Sequence, residues 1–240
     1  MNRRDLLAQA SAALGLLVLS GCAGRRRSDA TAGSGDVLGG LPQSHAPRVT
    51  RQRRRPEWLD EVNGTGPAAI AGVIPRSAWT SAAPIPTRAD PMQAINKITI
   101  HHDGMSAFHS TSQADAMRRL ESIRKAHVGQ GWADIGYHFS IDPAGRVYAC
   151  RTLALQGAHV KNQNAGNLGV MVMGNFEEQQ PTPAAIASLE SFVPALMRHY
   201  RIQVQAVYTH RELASTACPG KNLQTRLVQA RRTGGKLAMA

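Results

Sequence analysis

Cysteine is scarce in this chain, with three in 240 residues. Disulfide-held scaffolds use more cysteines in shorter chains, so that class is excluded. Aromatic residues make up only 5%. The hydrophobic content of 42% is still adequate for a packed core. Long apolar runs are missing too: residues 6–19 are apolar and small, but too few to span a bilayer comfortably as a permanent helix. No internal repeat occurs, so the chain is not a repeat array. It has no HExxH helix, so that motif places no glutamate base. Acidic residues are outnumbered, 16 against 28 lysines and arginines, for a formal charge of +12.

That charge is unevenly spread. Residues 1–55 hold ten arginines against three aspartates. A basic domain would suggest nucleic acid, whereas a basic tether before a milder domain suggests an anionic surface, so no nucleic-acid partner is expected. The chain opens MNRRDLLAQASAALGLLVLSGCAG, with Arg3 and Arg4 before the apolar run, which reads as an export signal. NRRDLL looks like a twin-arginine signal. LSGC (19–22) resembles a bacterial lipobox, which would make Cys22 the lipidated residue and anchor the chain to a membrane. Ala23 follows Cys22; by resemblance to bacterial lipoproteins this favours the outer membrane, facing the periplasm.

Residues 1–22 are thus read as an export signal with lipobox, and 23–56, rich in Gly, Ser, Ala, Pro and Arg, as a flexible basic tether. Residues 57–97 are Pro-rich and read as an irregular approach segment, and a compact domain is expected over 72–232. Strands are expected in KITIHHDG (97–104), GYHFSID (136–142), RVYACR (146–151), LGVMVMGNF (168–176) and QAVYTHREL (205–213). The middle two of the first four form a hairpin around Pro143–Gly145. Helices are expected over 110–128, opened by Ser112 and Asp115, over 182–200, and over 222–232. In the second, Thr182 is the N-cap and Pro183 the first helical residue, Ile186, Leu189, Val193, Leu196 and Tyr200 form the apolar stripe, and Pro194 should kink it. The fold class is mixed α/β, one central sheet flanked by helices.

Zinc sites in hydrolases take three protein ligands and leave a fourth position for water. The candidates lie at strand ends: His101 or His102, His210, and Cys218. Successive strand residues face opposite ways. His102 shares the phase of Ile98 and Ile100, the apolar side, where it is packed or hydrogen-bonded beneath the site. His101 shares the phase of Lys97 and Thr99 and is the better ligand. Cys150, in a strand, reads as a small buried apolar residue.

Four stretches, KITIHHDG, GWADIGYHFSIDPAGRVYACR, LQGAHVKNQNAGNLGVMVMGNF and THRELASTACPG, occur in one order that resembles the zinc N-acetylmuramoyl-L-alanine amidases of the peptidoglycan-recognition-protein and phage-lysozyme type. The resemblance covers roughly 72–230. It implies Zn2+ held by His101, His210 and Cys218, with Tyr137 and Thr216 as catalytic residues. It places His159 and Asn164 in a groove that contacts the muramyl-peptide, and His102 and His138 are grouped with them on the substrate side. Simple alternation puts Tyr137 on the face of Phe139 and Ile141, against that role; the strand's opening after Gly136 makes local phase a poor guide there. The implied reaction is hydrolysis of the amide joining the lactyl group of N-acetylmuramic acid to L-alanine. The implied partner is peptidoglycan or its muropeptides, and a monomer is expected. The competing expectation is a module that binds peptidoglycan without cleaving it.

Overall fold

The computed structural model describes residues 72–239. The expected export signal at 1–22 with Cys22, the tether at 23–56 and residues 57–71 lie outside the described residues.

Among the described residues six strands form one sheet: β1 (Val73–Ile74), β2 (Lys97–His102), β3 (Phe139–Ile141), β4 (Val147–Ala149), β5 (Asn167–Val172) and β6 (Val207–Thr209). Their spatial order is β1-β4-β3-β5-β2-β6. The β3–β5, β5–β2 and β2–β6 pairs are parallel, and β3 and β4 form the antiparallel hairpin. β2 and β5 are buried along nearly their whole lengths, as parallel strands covered on both faces must be.

Helix α1 (Gln113–Gly129) covers one face. Its N-cap is Ser112, whose hydroxyl accepts the Asp115 N–H at 3.4 Å. Ala116, Leu120 and Ile123 meet Tyr148, Cys150, Met171 and Met173 of the sheet side. The opposite face is covered by α2 (Pro183–Tyr200) and α4 (Lys221–Arg231). There Ile98, Ile100, Ile141, Val170 and Val172 pack against Leu189, Val193, Leu196, Leu223 and Leu227. Thr182 caps α2, accepting the Ala185 N–H at 3.1 Å. Pro194 lies within the helix, which runs on unbroken to Tyr200. Leu237, beyond the end of α4, is fully buried.

One expected strand is shorter than its sequence suggests. β6 stops at Thr209, and His210–Leu213 forms a short helix, α3. The Glu212 carboxylate accepts the Thr209 N–H at 2.8 Å and is gripped by Arg231 of α4 at 2.8 Å. Turning the chain there satisfies the Thr209 donor locally; a further strand residue would have left it to a neighbour. The described residues before β2 are largely irregular, but they are tied down. Arg76 pairs with buried Asp134 at 3.0 Å and donates to the Cys150 carbonyl, while the Trp79 indole N–H donates to Ala149 at 2.8 Å.

Candidate metal centre

β2 sorts its two histidines by face. His101 is fully buried on the α1 side, opposite Met171 of β5. His102 turns to the other side, where its ring stacks on Phe176 and Nδ1 accepts the Phe176 N–H at 3.2 Å.

Two further groups converge on His101. β6 pairs with β2 so that Thr209 sits opposite Ile100, which brings His210, the next residue, beside His101. The two imidazole centroids are 4.8 Å apart. The loop after α3 returns Cys218, held by the Arg211 N–H donating to the Cys218 carbonyl at 2.9 Å. Its Sγ lies 3.6 Å from His101 Nδ1. Donor atoms of His101, His210 and Cys218 all lie within 4.8 Å of one another.

This donor set fits zinc. Tetrahedral zinc with bonds of about 2.0–2.1 Å to nitrogen and about 2.3 Å to sulfur separates those two atoms by roughly 3.6 Å. Protonation suits it as well. Burial, followed by neighbouring imidazoles, lowers the His101 pKa well below its usual value, and burial lowers that of His210. Neutral imidazoles are the form a metal requires. Burial pushes the Cys218 thiol up to about 12, with the His102 N–H and Arg211 acting in the other direction. A metal binding there would displace that proton.

Tyr137 lies on the same side, its ring centroid 5.1 Å from that of His101. Alternation from Phe139 would have put it on the α2 side. The strand, however, begins only at Phe139, and the His138 ring folds back onto the sheet. Beneath Tyr137 lies His127 at 5.7 Å, whose Nδ1 accepts the Gly136 N–H at 3.0 Å. His127 was not anticipated, although it extends the spacing of Ala116, Leu120 and Ile123 along α1 and could have been found there. Burial holds its pKa down at about 4. Thr216 is exposed, and its hydroxyl accepts the Cys218 N–H at 3.2 Å, so it shapes the loop that carries the thiol.

The four residues expected on the substrate side all make hydrogen bonds within the protein. His102 is spent on Phe176. His138 is buried, with Nδ1 accepting the Gly169 N–H at 3.0 Å and Nε2 donating to the Leu155 carbonyl at 3.1 Å. Asn164 uses its carboxamide oxygen to accept the His159 and Val160 N–H groups, both at 2.9 Å. His159 places Nδ1 at 3.0 Å from His101 Nε2, and its own Nε2 at 3.1 Å from the Asn167 carbonyl. The Asn167 contribution is a main-chain one, which no residue type signals.

The family model described as N-acetylmuramoyl-L-alanine amidase matches residues 91–221. Peptidoglycan-recognition protein SC2 of Drosophila melanogaster is 30% identical over 159 residues, 65% of this chain and 85% of that protein. Among solved structures, the N-acetylmuramoyl-L-alanine amidase LysC from Clostridium intestinale URNW is 27% identical with a TM-score of 0.53, covering 62% of this chain and 93% of that one. Peptidoglycan recognition protein-LE, solved in complex with tracheal cytotoxin, is 26% identical with a TM-score of 0.58, covering 65% and 94%. With the family model matching more than half of its length, this chain belongs to the N-acetylmuramoyl-L-alanine amidase family.

Proposed function

We propose that this protein is a zinc-dependent hydrolase that cleaves the amide between the lactyl group of N-acetylmuramic acid and L-alanine in peptidoglycan. The observation that carries the reading is the convergence of His101, His210 and Cys218 donors within 4.8 Å, with Tyr137 beside them. Zinc bound there supplies an activated water and a Lewis acid for the amide carbonyl. The remaining work belongs to side chains. Burial, with the nearby Cys218 and Asp103 adding to it, raises the Tyr137 pKa, so its phenol stays protonated and can donate a hydrogen bond to the oxygen on which charge develops. The buried wall of His101, Met171 and His159 removes bulk water from one side of that position, which strengthens such a donor.

Recognition without cleavage is the competing reading, since recognition proteins are among the relatives. The complete His-His-Cys donor set favours hydrolysis. We further propose that the chain is exported, carries lipid on Cys22, faces the periplasm and acts as a monomer on peptidoglycan or its muropeptides. Lipid on Cys22 would be read as the added mass on the mature N-terminal peptide, and a soluble Cys22→Ala protein is expected.

The test of function is mass spectrometry of purified sacculi digested with the zinc-loaded protein. Stem peptides free of muramic acid are expected. No release by protein shown to contain zinc would overturn the hydrolase and leave recognition.

A further inference from the structure

His159 touches a proposed zinc ligand without belonging to the donor set. Its hydrogen bonds settle more than packing. The Asn167 main-chain carbonyl can only accept, so the His159 Nε2 facing it at 3.1 Å carries the ring's proton. In a neutral imidazole one nitrogen donates and the other accepts, so Nδ1 is then bare. A bare Nδ1 accepts from the atom 3.0 Å away, so His101 Nε2 carries a proton. His101 is left with Nδ1 bare, and that nitrogen is the one 3.6 Å from Cys218 Sγ.

The relay is held at each link. Asn167 opens β5 in register with Lys97, and its carboxamide is fixed by the Thr99 hydroxyl at 2.9 Å and the Gln163 carbonyl at 2.7 Å. Asn164 holds the His159 main chain. Gly157 and Gly169 leave the space the ring occupies, because a Cβ on either would fall 2.4 or 2.7 Å from His159 Cδ2.

We propose that His159 is a positioning residue: it fixes His101 in the Nε2–H tautomer and turns Nδ1 toward the metal, with the Asn167 carbonyl as the anchor. This rests on His101 being a zinc ligand. It is distinct from a groove residue that touches substrate.

Nitrogen-15 NMR of the histidine rings in the full-length wild-type protein, metal-free and with zinc, tests it directly. Nε2–H is expected at both His101 and His159; an Nδ1–H tautomer at His101 in the metal-free protein would overturn it. Zinc affinity by chelator competition gives a second readout. His159→Leu removes the acceptor and should bind zinc about 10–100-fold more weakly. His159→Gln offers an amide oxygen to the His101 N–H and should recover most of that loss. Cobalt spectra should shift in the Leu variant and resemble wild type in the Gln variant. Unchanged zinc binding in both variants, or equal loss in both, would assign His159 to packing and overturn the proposal. If His159→Leu does not fold, the wild-type tautomers decide alone. Loss of the hydrolase reading would appear instead as absent peptide release with tautomers and zinc binding intact.

Discussion

The two faces of the sheet are both buried, yet they are built for different ends. On the α2 and α4 side, every β2 residue short of the last is apolar: Ile98 and Ile100 meet leucines and valines, and only His102 at the edge carries nitrogen. On the α1 side the same strand contributes Thr99 and His101, and the neighbours are Asn167, His138 and His159, all nearly without exposure. The first face gains stability by removing apolar surface from water, at up to about 1.5–3 kcal/mol for each fully buried large side chain. The second face forgoes part of that gain. Its polar atoms must be paired inside the protein, which the Gly169, Leu155 and Asn167 main-chain groups do. One strand serves both because its side chains alternate. The lesson is that burial alone says little about role; what each face does with its nitrogens and oxygens separates a core from a site.

Substitutions should divide along that line. The largest effect is expected from Cys218→Ala, which should abolish stoichiometric zinc binding and lower peptide release by at least about a thousandfold. Product spectra identical to wild type would remove the metal assignment. Tyr137→Phe should follow, with turnover about 10²–10³-fold lower and zinc content unchanged; a loss of zinc alongside would make the tyrosine a structural support. On the other face, Leu196→Ala should cost about 2–5 kcal/mol in denaturant unfolding while leaving turnover per folded molecule unaltered, and a turnover defect in folded protein would blur the distinction drawn above.

Acid should act on the polar side. His127 and His138 both have pKa values held down at about 4, first by burial and also by Arg151. Their unfolded value is about 6.5. The unfolded chain therefore binds more protons between those limits, so the stability they contribute is complete above about pH 6.5 and is lost as pH falls toward about 4. Each ring should cost roughly 2–3 kcal/mol by about pH 4.5. An unfolding midpoint that is the same at about pH 7.5 and 4.5 would contradict this. The smallest effect belongs to the periphery of the apolar face, where Thr182→Ala should remove the α2 cap for about 1 kcal/mol, measured in the same unfolding experiment.

Much of this was legible along the chain, for identifiable reasons. The period of two in KITIHH distinguished His101 from His102, because strand geometry leaves no freedom in which face a residue takes. The stripe of α2 and its Thr182–Pro183 start were equally readable. The end of β6 is marked in the sequence as well: Thr209-His-Arg-Glu212 is a capping-box pattern. Tyr137 defeated alternation because the strand had not yet begun at its position, so no period applied.

The sequence by itself determined the family and the kind of sheet, and it pointed to the three residues whose donor atoms converge, because these depend on residue types at spacings that local geometry turns into faces and ends. Only the tertiary structure decided which groups His102, His138, His159 and Asn164 bond to. Each is held by a main-chain group distant in the chain or exposed only by the loop's path, and a carbonyl such as that of Asn167 carries no mark of residue type. The tautomer of His101 is therefore set by an atom that every residue possesses, and only its place in space makes it matter.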